Sequence, residues 1–82
     1  MVMYEAGMLA RSKAGHDKAQ MYIIKEVDDT YVYLVDGRIR TLGHPKKKKK
    51  KHVQIVHGIY NMKELDDAGI RKLIKDWMKK EK

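Results

Sequence analysis

The sequence predicts a mainly β fold: five short strands forming a small barrel or sandwich, followed by one amphipathic α-helix. Runs rich in β-branched and aromatic residues recur through residues 7–57, separated by glycine and aspartate turn signals. Asp36-Gly37, between two such runs, is a strong hairpin signal, because both residues tolerate positive φ. Beyond residue 61 the apolar period lengthens. Ile70, Leu73, Ile74, Trp77 and Met78 lie at i, i+3, i+4, i+7 and i+8, the stripe of a helix with one buried face.

Each element has its own basis. Residues 7–12, led by Gly7, read as a short first strand. Residues 13–18 are polar with a central glycine, and so a loop. Met21, Tyr22, Ile23, Ile24 and Val27 make residues 19–27 a strand, and Asp28-Asp29 ends it. Residues 30–36 place Tyr31 and Tyr33 on one face, Val32 and Leu34 on the other. Residues 38–41 alternate, with Ile39 between Arg38 and Arg40, and are expected as the fourth strand. Residues 42–51 are expected as a loop, and residues 52–57 as the last strand. Asn61 with Glu64 signals a short helical turn, and Asp66 and Asp67 suit the N-terminus of the main helix. The expected organisation is a barrel over residues 1–60 and a helical extension over 61–82, packed on or beside it.

Composition narrows the function. A chain of 82 residues buries only about 60–65% of its unfolded surface, leaving little room for a deep catalytic cleft. No cysteine is present, so disulfides and thiolate metal sites are excluded. No run approaches the ~20 apolar residues of a membrane span, and the N-terminus lacks a signal-peptide pattern. The expectation is a cytoplasmic monomer with no membrane partner. No nucleophile, base and oxyanion site assemble from Ser12 and the acidic residues, so the expectation is a protein that is not an enzyme and uses no cofactor. His44 and His52 flank a lysine run that repels cations, so no metal is expected.

The net charge of +8 is concentrated in one place. Without Lys46, Lys47, Lys48, Lys49, Lys50 and Lys51 the first 61 residues would carry no net charge. A concentrated patch makes a local field, whereas a spread excess mainly aids solubility. A solvated loop is the plain reading of such a run, and PKKKKKK also looks like a nuclear-import label. Its position between elements that fix both ends favours a folded polyanion-binding surface. Arg38, Arg40 and His52 adjoin it, and protonated His44 or His52 would strengthen phosphate binding at acid pH. The loop Ser12-Lys13-Ala14-Gly15-His16-Asp17-Lys18 adds Lys13, His16 and Lys18 as candidate phosphate donors.

A glycine-led strand, a basic loop with a central glycine and then an apolar strand resembles the KOW pattern of RNA-binding domains. Gly7 and residues 12–18 carry the likeness. Val35-Asp36-Gly37-Arg38-Ile39-Arg40, Pro45-Lys46-Lys47-Lys48 and Lys51-His52 extend it. Ala19 and Gln20 stand where such motifs often have a further glycine. The chain is thus similar to small bacterial KOW-domain proteins related to KOW-bearing large-subunit ribosomal proteins. The resemblance implies an SH3-like barrel, binding to structured RNA on or near the ribosome, and no catalysis. The alternatives are non-specific DNA binding through the same patch, or a protein-docking module that uses the helix stripe.

Overall fold

In the computed structural model, residues 3–13 and 20–80 are described, with only the backbone at His57, Gly58 and Lys80. Five antiparallel strands, β1 (Met8–Ser12), β2 (Met21–Val27), β3 (Tyr31–Val35), β4 (Lys46–Lys49) and β5 (Val53–Ile59), are followed by helix α1 (Asp67–Lys80). The strands form one sheet in the order β4-β3-β2-β1-β5, curled into a half-barrel. Short 3-10 turns at Lys50–His52 and Met62–Glu64 join β4 to β5 and lead into α1.

Alternation divides the apolar residues between two faces. Leu9, Met21, Ile23 and Val35 form one cluster with Ile70 and Ile74 of α1, and Leu73 and Trp77 pack at its margin. The helix therefore spends its apolar stripe on the sheet, with Met78 its exposed member. Ala10, Tyr22, Ile24, Val32, Leu34 and Val53 form the second cluster, on the other face. At Lys25 the β2–β3 register shifts, so that Ile24 and Val27 both serve that second cluster although three residues apart.

The expected strand over residues 38–41 does not form. The Asp36 carboxylate accepts from the backbone N–H groups of Arg38 (2.9 Å) and Arg40 (3.0 Å), and Gly37 takes φ +76°. These bonds bend the segment into a turn, and the alternation of RIRT finds no partner; Ile39 is 84% exposed. The turn is held from two sides. The Arg71 guanidinium donates to the Gly37 carbonyl at 2.6 Å, and the Asp67 carboxylate accepts from the Leu42 N–H at 2.8 Å.

The fourth strand comes instead from the lysines expected as loop. Tyr31, Val32, Tyr33 and Leu34 pair with Lys49, Lys48, Lys47 and Lys46. The edge of β3 carries N–H and C=O groups that need partners, and the return from the 36–45 connection lies antiparallel to it. Lys50 clamps the strand's end: its N–H donates to the Thr30 carbonyl (3.0 Å), and its ammonium to the Asp29 carbonyl (3.1 Å). Tyr4 also ties this corner, its hydroxyl donating to the Lys50 carbonyl at 3.0 Å.

Of the expected caps, Asn61 and Asp66 form, while the Asp67 carboxylate turns instead to the Leu42 N–H. Asn61 accepts from the Lys63 N–H at 3.0 Å, and Asp66 from the Gly69 N–H at 2.7 Å.

Candidate nucleic-acid interface

Strand pairing sorts the six lysines. Residues opposite each other in a ladder share a face. Lys47 and Lys49 therefore stand beside Tyr33 and Tyr31, and both are exposed. Lys46 and Lys48 lie beside Leu34 and Val32 at the margin of the second cluster, half-buried. Lys50 is occupied at the Asp29 carbonyl, while Lys51 is exposed in the 3-10 turn. The exposed cations of the run are thus Lys47, Lys49 and Lys51.

The tyrosines sharpen this surface. Lys47 Nζ lies 4.2 Å from the centre of the Tyr31 ring, a cation–π distance. Tyr33 donates its hydroxyl to Asp28 at 3.0 Å. Asp28 also accepts from the N–H groups of Tyr31 (2.6 Å) and Thr30 (2.9 Å), which fixes the β2–β3 turn. The Tyr31 and Thr30 N–H groups hold the Asp28 carboxyl below its ordinary pKa against its partial desolvation, with smaller help from the Tyr33 hydroxyl and the charge of Lys47. The bond to Asp28 raises that of the Tyr33 phenol. Lysine heads thus project from a sheet whose two tyrosine rings are half-buried, Tyr33 held at its hydroxyl by Asp28 and Tyr31 capped on its face by Lys47.

The other candidate residues spread around the molecule. Arg38 is exposed and Arg40 half-buried in the 36–40 turn, away from the Tyr31–Lys49 end of the strands. His52 is half-buried, and its carbonyl accepts from the Lys13 N–H at 2.8 Å, which brings Lys13 next to the end of the lysine run. His16 and Lys18 lie outside the described residues. His44 is exposed in the 41–45 segment, its N–H donating to the Thr41 carbonyl at 2.9 Å.

A second cationic group lies along α1. Arg71, Lys72, Lys75 and Lys79 line a cleft of about 750 Å³ with Arg38 opposite. Sequence reading treats the helix cations only as the wet side of an amphipathic helix. Their i, i+4, i+8 spacing at 71, 75 and 79 is the signal that groups them. Among the described residues no three His, Asp or Glu side chains are grouped to hold a metal. No helix of the described residues is long and apolar enough to cross a membrane.

These features belong to a small five-stranded antiparallel half-barrel with a helix packed on one face. No protein-family model matches the chain, KOW models included, and no curated protein matches it.

Proposed function

We propose that this protein is an RNA-binding module of KOW type that holds structured RNA, ribosomal RNA being the partner class the resemblance implies. One observation carries the reading: Lys46–Lys49 of the lysine run form a strand paired with β3, so Lys47 and Lys49 project from one face at a two-residue spacing beside Tyr33 and Tyr31. A backbone already ordered in a sheet has less freedom left to lose on meeting a phosphate chain than that of a loose loop. Phosphate contacts of this kind position a nucleic acid, and shape supplies the selectivity. Lysines on an exposed edge strand also discourage pairing with another sheet. That role is served equally by both alternating sets and does not account for the aromatic neighbours on the Lys47/Lys49 face.

The docking alternative draws less support. Ile70 and Ile74 are buried against the sheet, and Leu73 and Trp77 pack there too, so the apolar stripe of α1 is already covered except at Met78. DNA binding is separated by experiment. Anisotropy of a labelled ribosomal RNA hairpin and a duplex DNA of equal length, at matched salt, should favour the RNA; equal affinity removes the RNA claim. Replacing Lys47, Lys49 and Lys51 with glutamine should preserve the β spectrum and lower the log–log salt slope by about 2–3. An unchanged slope rejects this face as the interface.

A further inference from the structure

The cleft between α1 and the 36–40 turn combines charge with an apolar wall. Arg38, Arg71, Lys72, Lys75 and Lys79 supply five cations around one carboxylate, Asp36. Asp36 opposes an anion, yet its Oδ1 is engaged by two backbone N–H groups and the residue is 8% exposed. Arg71 is set in place by its bond to the Gly37 carbonyl, and its guanidinium fork carries further donors. Ala68, Ile74 and Met78 line the same cleft, and Met78 is 48% exposed although it belongs to the helix's apolar stripe. A ligand with only charge has no use for that thioether; one with a flat apolar part beside a phosphate does.

We infer that this cleft is a nucleotide-phosphate site: Lys72, Lys75, Lys79 and Arg38 take the phosphate, and a base lies against Met78. The site is separate from the lysine strand, because its lining comes from α1, the 36–38 segment and Gln20 and includes no residue of β4. It rests on the RNA-binding reading only for the source of the nucleotide, a segment of the bound RNA or a free mononucleotide. With the whole molecule spanning at most 28 Å, one folded RNA can reach both sites, and the cleft then adds contacts to those of β4.

The test is nuclear magnetic resonance on the full chain with labelled amides and methionine methyls, using three probes: inorganic phosphate, AMP and a five-nucleotide single-stranded RNA. AMP and the RNA should shift the amides of Arg38, Ala68 and residues 72–79, together with the Met78 methyl. Phosphate should shift the amides alone. The triple variant K72Q/K75Q/K79Q should abolish these shifts and weaken binding of a ribosomal RNA hairpin about tenfold or more, with a salt slope lower by about 2–3. The variant K47Q/K49Q/K51Q should keep the cleft shifts. Shifts with AMP but none with the oligonucleotide assign the site to free nucleotides and uphold it. A Met78 methyl unmoved by AMP overturns the nucleotide assignment, whatever phosphate does. If the hairpin perturbs β4 while every probe leaves the cleft silent, the cleft proposal fails and the RNA-binding reading stands. If no RNA binds anywhere while AMP shifts the cleft, the RNA-binding reading fails and the nucleotide site stands.

Discussion

Gly7 shows how little tolerance one residue can have. It sits at φ +94°, its N–H donates to the Ile24 carbonyl, and its carbonyl accepts from the Tyr60 N–H, both at 2.8 Å. A Cβ there would overlap the Tyr60 carbonyl oxygen, and one at Gly37 the Asp67 carbonyl oxygen. Gly7→Ala meets both strain and backbone collision; the positive φ alone costs about 1–3 kcal/mol. Urea denaturation should show a lowered midpoint for Gly7→Ala and Gly37→Ala, with Gly43→Ala nearly neutral because open space surrounds Gly43. Asp28 gives a pH-dependent counterpart. Its folded pKa is lowered, so the stability it lends is full above the ordinary carboxylate value of about 3.9 and is lost as pH falls through the folded value. Tyr33 acts oppositely: its folded pKa is raised, so its share is present below the ordinary phenol value of about 10 and is lost as pH rises through the folded value. Carboxyl and ring resonances should titrate displaced in these two directions, and Asp28→Asn should return Tyr33 towards ordinary behaviour.

At the scale of elements, β4 is a strand built from residues with poor strand preference. Its order comes from β3, from the Lys50 clamp and from the Asp36–Arg40 turn that returns the chain. The two alternating lysine sets should behave differently under substitution. Lys47→Gln with Lys49→Gln changes charge at exposed positions, and thermal unfolding should move little. Lys46→Ser with Lys48→Ser removes aliphatic stems from the margin of the second cluster, and should lower the melting temperature more for the same charge. Equal effects of the two pairs would show that pairing register does not govern this strand. For α1 the decisive residue is Ile70, fully buried between helix and sheet. Ile70→Ala should cost about 2–5 kcal/mol, read as a shift in the urea midpoint, whereas Met78→Ala should cost far less.

At the scale of the molecule, two opposed features coexist. The sheet is covered by α1 on one face and curls around its second cluster on the other, so its apolar surface is largely internal. The excess charge stays outside, on the β4 edge and along α1. On the proposed reading, a polyanion meeting this surface would release the small ions gathered at its lysines. If the proposed RNA binding holds, raising salt should dissociate the complex while leaving the fold intact. Parallel anisotropy and circular dichroism series would show it, and simultaneous loss of both signals would contradict it.

The sequence by itself determined most of the local structure. Patterning marked β1, β2, β3, β5 and α1, the caps at Asn61 and Asp66, the opposed faces of β3 and the packing role of Trp77. Each depends on contacts within a few residues or on a repeated period. The fourth strand was not legible. RIRT alternates as a strand should, and six lysines carry no period at all, so local preference pointed to the wrong segment. A local bond removed the expected strand, and only the tertiary structure decided which segment took its place. Asp36 captured the amides of the expected strand, and the edge of β3 took up the lysines because its unpaired backbone groups accept any residue able to lie extended. The same holds for the cleft: Arg38 and Lys75 are far apart in the chain, and the docking of α1 beside the Asp36 turn makes them neighbours. A backbone's demand for hydrogen bonds, and a helix's demand for an apolar bed, are settled across the whole fold, where no short window of sequence can register them.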